Sequence, residues 1–164
     1  MRVRPAWSAL AAVALLAAGG EAGAAAPVRP VFACGFGSAK QVLVTAAPGG
    51  VAYRFGTAAV AEKVILGRAG AADVFRGAVL YPRAVNTHLR FVEGPFSYVL
   101  FHRVYFGNAR QQGAEDTQGL LVLRRGKLLA RLTCRSGPGF GEADLAKALP
   151  EIPEDSAFDL AEFM

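Results

Sequence analysis

Short apolar runs alternate with turn-forming residues between positions 31 and 134 of the chain. The runs are five to eight residues long and rich in Val, Leu, Ile, Phe and Tyr, the composition of β-strands. They are Val31–Phe36, Gln41–Thr45, Val51–Phe55, Glu62–Leu66, His88–Val92, Phe96–Arg103, Gly119–Leu123 and Leu128–Cys134. Glycines and a proline interrupt the stretch 68–85, which holds either one further strand, Val74–Leu80, or a long loop.

The spacing of these runs predicts the fold class. Turn signals recur about every ten residues, and no helical segment of 10–15 residues separates the strands, which disfavours a parallel sheet. We therefore expect an all-β domain, an antiparallel barrel or sandwich of about seven or eight strands. The run Phe96–Arg103 is apolar on both of its faces, so it should lie centrally in its sheet.

The last thirty residues follow a different pattern. Ser136–Gly139 breaks the strand pattern, Glu142–Leu149 fits a short helix, and Ser156–Met164 carries apolar residues at helical spacing. We expect a C-terminal tail, 136–164, that is either a short helix or disordered, and that either docks on the β domain or stays free.

The N-terminus has the three parts of a secretory signal peptide. Arg2 and Arg4 are followed by an uncharged apolar run of about ten residues, Ala9–Ala18, and then by small residues around Ala22 and Ala24. The apolar run is too short for a transmembrane helix, which needs roughly 20 residues. We therefore predict a signal peptide over residues 1–25, a β domain over 26–135, and a periplasmic or secreted location.

The chain contains two cysteines, Cys34 and Cys134, one in the first and one in the last predicted strand. In an oxidising compartment such a pair predicts one disulfide. A disulfide between them would close a loop of about 100 residues, which corresponds to a stabilisation of roughly 4–5 kcal/mol in the chain-entropy model. No CxxC motif is present, which argues against thiol–disulfide chemistry.

The charge is distributed unevenly along the chain. Residues 27–134 contain 14 basic and 5 acidic residues, whereas residues 135–164 contain 2 basic and 7 acidic residues. A basic domain favours an anionic partner, although exposed arginines also serve solubility alone. The candidate binding residues are the basic positions of the predicted strands and turns, namely Arg54, Arg83, Arg90, Arg103, Arg124, Arg125, Lys127 and Arg131.

Motifs for catalysis are weak. The chain has no GxSxG elbow and no phosphate-binding loop, so no catalytic residue and no cofactor is predicted. His88 and His102 flank a turn, Glu93–Pro95, and a three-residue loop there would place them diagonally on one face, about 7–8 Å apart. No HxH, HxxxH or HExxH spacing supplies a further ligand, so we predict no metal site.

Phe32-Ala33-Cys34 near the start and Leu132-Thr133-Cys134 near the end place one cysteine at each end of the predicted domain. In this respect the layout resembles the periplasmic lysozyme inhibitors of the membrane-bound C-type inhibitor family, which implies a small β-barrel. The family's Ser-Gly-x-x-Tyr signature is absent from this chain, and C-type lysozymes are basic like this β domain. No functional residue is therefore carried over.

These observations support three functional hypotheses. The leading one is an exported, non-catalytic binding or inhibitor-type envelope protein whose basic face binds an anionic envelope component or a protein partner, and not nucleic acid. The second is a small glycan hydrolase using Glu93 or Glu115. The third is a structural component of an envelope complex that docks through the apolar tail Phe158–Met164.

Overall fold

The computed structural model describes residues 29–47, 49–68, 70–107, 115–137, 140 and 142–163. The predicted signal peptide lies outside these residues. The elements are β1 (Arg29–Gly35), β2 (Gln41–Ala47), β3 (Gly50–Gly56), β4 (Ala61–Arg68), β5 (Val74–Tyr81), β6 (Ala84–Glu93), β7 (Phe96–Tyr105), β8 (Glu115–Arg124), β9 (Lys127–Thr133), the helix α1 (Glu142–Ala148) and a 3₁₀ turn (Leu160–Phe163).

The strands form two antiparallel sheets, one in the order β1-β2-β3-β4 and one in the order β5-β6-β7-β8-β9. Each sheet is a meander of consecutive strands, and the sheets do not close on each other, so the molecule is a sandwich. The prediction of an all-β antiparallel fold is confirmed, and its barrel alternative is wrong. The interrupted stretch after position 68 holds β5, an edge strand, where glycine and a following turn are tolerated.

The main core lies between the sheets and follows the two-residue period of each strand. Phe32, Val44 and Tyr53 of the four-stranded sheet are fully buried against Phe91 and Leu100 of the five-stranded sheet. The Tyr53 ring lies 5.4 Å from the Phe91 ring, measured between centroids. Burial raises the pKa of Tyr53 above its usual value, so its hydroxyl stays neutral.

One edge of the sandwich is closed by the predicted disulfide. Cys34 of β1 bonds to Cys134, directly after β9, with a Cα–Cα distance of 5.3 Å. Beside it, the Gly35 N–H donates to the Ser136 carbonyl at 2.9 Å, and the Arg135 N–H donates to the Gly35 carbonyl at 2.8 Å. The disulfide therefore ties the first strand of one sheet to the last strand of the other.

The C-terminal tail docks on the sandwich. Helix α1 and its neighbours add Phe140, Leu145, Leu149 and Ile152 to the main core. Residues 153–155 then run parallel to the edge strand β5, where the Arg76 N–H donates to the Pro153 carbonyl at 3.0 Å. This pairing satisfies the backbone N–H and carbonyl of Arg76, which the edge strand would otherwise leave unpaired.

The C-terminal segment, defined here as residues 153–163, continues onto the outer face of the five-stranded sheet. There its apolar side chains, Phe158, Leu160 and Phe163, pack against side chains of β7 and β8, namely Val99, Phe101, Leu121 and Leu123. β7 is the central strand of the five and is buried on both faces, as its sequence predicts. The second apolar face of β7 exists because the chain's own C-terminus covers it.

The register of the β6–β7 hairpin differs from the expected one. Glu93 pairs with Phe96, so the loop contains two residues, Gly94 and Pro95, rather than three. His88 consequently lies opposite Phe101, and His102 lies opposite Thr87. A shift of the pairing register by one residue turns each side chain of the strand to the other face of the sheet. The two histidines therefore point to opposite faces and share no site.

Candidate binding groove

The eight predicted basic residues do not form one surface. Arg54 belongs to the four-stranded sheet, where its guanidinium donates to the Ala58 carbonyl at 3.2 Å. Three others lie together at the exposed β8–β9 turn, namely Arg124, Arg125 and Lys127. The remaining four belong to the outer face of the five-stranded sheet or to its β5–β6 turn, namely Arg83, Arg90, Arg103 and Arg131.

Arg90 is engaged inside the molecule and is not free to bind a ligand. Its Nε donates to Asp155 Oδ2 at 2.6 Å, and its Nη2 donates to Asp155 Oδ1 at 2.8 Å. The guanidinium also lies over two rings, 4.7 Å from the Phe75 centroid and 5.3 Å from the Phe158 centroid. This two-pronged pairing anchors the C-terminal segment to β6.

His88 is the second partner of Asp155. Its Nε2 donates to Asp155 Oδ2 at 3.2 Å, and both side chains are 1% exposed. Burial by itself would raise the pKa of the Asp155 carboxyl, but the hydrogen bonds from His88 and Arg90 outweigh it and hold this pKa below its usual value. Gly77 leaves space for the histidine, because a Cβ there would overlap the imidazole ring.

Beyond the C-terminal segment, the outer face of the five-stranded sheet contains a groove. Asn86 of β6 and Arg103 of β7 are direct cross-strand neighbours, and Ala84 and Tyr105 form the next pair on the same face. Together with the β5–β6 turn they border a cavity of about 460 Å³. Its lining includes Tyr81, Arg83, Asn86, Arg103, Tyr105 and Ala161.

Two polar atoms in this groove have no protein partner. Asn86 is 2% exposed, and its Oδ1 makes no hydrogen bond. The Nε of Arg103 is likewise buried and unpaired. Buried polar groups in proteins are nearly always hydrogen-bonded, so this acceptor and this donor are available to bond a water molecule or a ligand group.

A second cavity of about 480 Å³ adjoins the first across the Arg103 and Tyr105 side chains, which line both. It is completed by Glu115 and Thr117 of β8 and by Arg131 of β9. The Arg131 guanidinium lies 5.7 Å from the Phe101 centroid, and its Nη1 donates to the Phe163 carbonyl at 3.5 Å. The two cavities, which share the Arg103 and Tyr105 side chains as a common wall and are bordered by the C-terminal segment, are together called here the Arg103 groove.

The C-terminal segment also fixes one wall of the Arg103 groove. The Tyr81 hydroxyl donates to Asp159 Oδ1 at 2.8 Å, and the Ala161 N–H donates to the same oxygen at 2.8 Å. These two hydrogen bonds, the backbone bond above all, hold the pKa of Asp159 below its usual value. Asp159 therefore stays charged and orients Tyr81 at the rim.

Sequence reasoning found the arginines of this groove but missed Tyr81, Asn86 and Tyr105. Asn86 interrupts an apolar strand, which is the one sequence signal that could have singled it out. Asp155 was also missed as the partner of Arg90, because 65 residues separate the two positions in the chain.

The carboxylates considered for hydrolysis lie far apart. Glu93 pairs with Phe96 and Glu115 with Tyr105, at opposite ends of β7. At about 3.4 Å per residue the two acids are roughly 30 Å apart, beyond any distance at which a carboxylate pair can act. Glu93 instead forms an ion pair with Lys63.

His102 lies outside the Asp155 cluster. It donates from Nδ1 to the Phe140 carbonyl at 2.7 Å, and its Nε2 contacts Asp116 Oδ1 at 2.7 Å.

Comparisons with known proteins found no relative. No protein-family model matches the chain, and no curated protein or solved structure matches it significantly. Among the residues that the structure describes, no helix is long and apolar enough to cross a membrane, and no three His, Cys, Asp or Glu side chains group as metal ligands would. The fold defines the class, a disulfide-linked antiparallel β-sandwich.

Proposed function

We propose that this chain is an exported, non-catalytic binding protein that holds an anionic partner in the Arg103 groove. The observation that carries the proposal is the meeting of Arg83, Arg103 and Arg131 around one concave surface with unpaired polar atoms in its wall. Arginines on a concave surface attract anions and steer their approach.

The rest of the molecule supports export and a binding role. The predicted signal peptide directs the chain to an oxidising compartment, where a disulfide such as Cys34–Cys134 is stable. The groove lies on a sheet held rigid by packing on both faces, which suits recognition by a preformed surface.

The third hypothesis, docking through an apolar tail, has less support than binding in the groove. Phe158, Leu160 and Phe163 already pack against this chain's own β7 and β8. Docking through them would require the C-terminal segment to leave the sheet and Asp155 to leave Arg90 and His88.

The proposal is tested by binding of the purified protein to immobilised dextran sulfate at increasing NaCl concentration. We expect binding that weakens about tenfold or more between low and physiological salt, because exposed charges are screened within about 10 Å. The groove variant Arg83→Gln/Arg103→Gln/Arg131→Gln should lose this binding.

A matched variant removes the same charge elsewhere, at Arg54→Gln/Arg124→Gln/Lys127→Gln. It should keep binding within about twofold, since only general electrostatics change. Equal loss in both variants would refute a localised site. Arg83→Gln alone, at an exposed turn position, repeats the test without touching the packed sheet.

A further inference from the structure

We infer that the Arg103 groove takes a carboxylated oligosaccharide, one whose sugar units carry a carboxylate and free hydroxyls. This inference rests on the proposed function and names its ligand class. It follows from the two unpaired polar atoms, from the aromatic wall and from the division of the groove into two cavities.

The unpaired atoms define the groups that the ligand must present. Arg103 offers a guanidinium donor at Nε, and the planar guanidinium matches a carboxylate in two-pronged geometry. Next to it, Asn86 Oδ1 needs a donor. A sugar hydroxyl both donates and accepts, so a sugar unit that carries a carboxylate and a free hydroxyl satisfies both residues at once.

The wall of the groove suits the apolar face of a sugar ring. The Tyr105 side chain is half-buried between the two cavities, and the Arg103 guanidinium lies 5.9 Å from its ring centroid. Tyrosine combines an apolar ring with a polar hydroxyl, so it accepts C–H groups on its face while its edge stays hydrated. Tyr81 supplies a second ring at the opposite rim.

The two cavities indicate a ligand of at least two units. Arg83 lies at the first cavity and Arg131 at the second, with Arg103 shared between them. Each cavity, at about 460 and 480 Å³, lies within the range of about 300–1,000 Å³ typical of small-molecule sites. A chain crossing Arg103 would therefore place one carboxylated unit on each side.

Glu115 makes the groove less suited to a densely charged phosphate or sulfate chain than to a carboxylated oligosaccharide. Its carboxylate lines the second cavity together with Arg103 and Arg131. A carboxylate repels a neighbouring anion but accepts hydrogen bonds from hydroxyls. The second cavity thus favours a unit with hydroxyl groups and one negative charge over a unit that is charged all round.

The experiment is isothermal titration of the purified protein with trigalacturonate, trimannuronate and a hyaluronan tetrasaccharide. The comparison ligands are the methyl ester of trigalacturonate, neutral maltotriose and dextran sulfate. We expect at least one carboxylated oligosaccharide to bind, and its uncharged counterparts to bind at least tenfold more weakly. The variants Asn86→Leu and Arg103→Lys should each weaken that binding about tenfold or more.

Two control variants match these changes. Thr87→Val alters the neighbouring buried polar residue, whose side chain lies on the other face of β6, and Arg124→Lys makes the arginine change at the distant turn. Both should bind within about twofold of the unchanged protein. Asn86→Leu should leave the melting temperature equal or higher, because it removes an unpaired buried oxygen, so its loss of binding would not reflect unfolding.

The outcomes separate the two proposals. Dextran sulfate binding that depends on Arg103, with no binding of any carboxylated oligosaccharide, overturns the inference of a carboxylated ligand and leaves the proposed function standing. Equal binding of trigalacturonate and its methyl ester overturns the carboxylate assignment. Full binding by Asn86→Leu overturns the assigned hydroxyl contact, and failure of every anionic probe overturns both proposals.

Discussion

Asp155 and its two partners, Arg90 and His88, anchor the C-terminal segment to the five-stranded sheet. We predict that Asp155→Asn, a change of almost no volume, destabilises the protein by about 3 kcal/mol. The Asp155 and His88 side chains are 1% exposed and the Arg90 side chain is 17% exposed, so the change leaves a cation with little access to water.

The magnitude follows from the cost of unpairing a buried charge. Removing one partner of a buried ion pair costs about 3–5 kcal/mol. Asparagine keeps one oxygen acceptor, and Arg90 retains its contacts with the Phe75 and Phe158 rings, which favours the lower end of that range. The expected loss is a large part of the roughly 5–15 kcal/mol by which a typical domain is stable.

The effect should depend on pH in a defined direction. The pKa of Asp155 is lower in the folded chain than its unfolded value of about 3.9. The contribution of Asp155 to the free energy of unfolding is therefore complete above its pKa in the unfolded chain. It disappears as the pH falls through its pKa in the folded chain. The difference in the free energy of unfolding between the unchanged protein and Asp155→Asn should shrink as the pH falls from 5 towards 3.

The assay is urea unfolding followed by circular dichroism at pH 7, 5 and 3. Glu154→Gln is the matched control, because it removes the adjacent charge from a side chain that is 79% exposed and 3.9 Å from Arg76. A surface pair of this kind contributes about 0–1 kcal/mol. A loss for Asp155→Asn no larger than for Glu154→Gln would refute the argument, as would a difference between the two proteins that grows below pH 4.

Two further predictions concern packing and covalent linkage. Gly77→Ala should destabilise the protein by about 1–3 kcal/mol, because the new Cβ overlaps the ring of His88, which Asp155 holds in place. The control is Gly94→Ala at an exposed turn, where the positive φ is unfavourable for alanine but no atom obstructs the Cβ. Thermal unfolding of both variants separates the overlap with His88 from the backbone strain. The double variant Cys34→Ser/Cys134→Ser should lose roughly 4–5 kcal/mol in chemical denaturation, since the closed loop spans 100 residues, and a loss below 1 kcal/mol would contradict the entropic argument.

Local periodicity was sufficient to predict most of the strands. The eight clear apolar runs all lie within strands of the structure, apart from residues at the strand ends, and β7 is central because its sequence is apolar on both faces. β5 was left open between a strand and a loop, because an edge strand has weak alternation. β8 begins at Glu115, earlier than predicted, because its first residues are polar on both faces: Glu115 and Thr117 line the groove, and Asp116 contacts His102 on the other face.

The Arg103 groove was predictable only in part. Basic residue types on strands indicated an anionic partner, but the pattern could not separate Arg103, which borders the groove, from Arg90, which pairs with Asp155. That distinction depends on which residue the C-terminal segment places over each arginine. No local pattern encodes a partner 65 positions away in the chain.

The sequence by itself therefore determined the all-β class, the pairing of its two cysteines and the separation of a basic β domain from an acidic C-terminus. These follow from composition and from the two-residue period, which are local properties. Only the tertiary structure decided that the sheets stack as a sandwich, that His88 and His102 lie on opposite faces, and that Asn86 meets Arg103. These depend on register and on sheet packing, in which one residue of slip exchanges the buried and exposed faces of a strand.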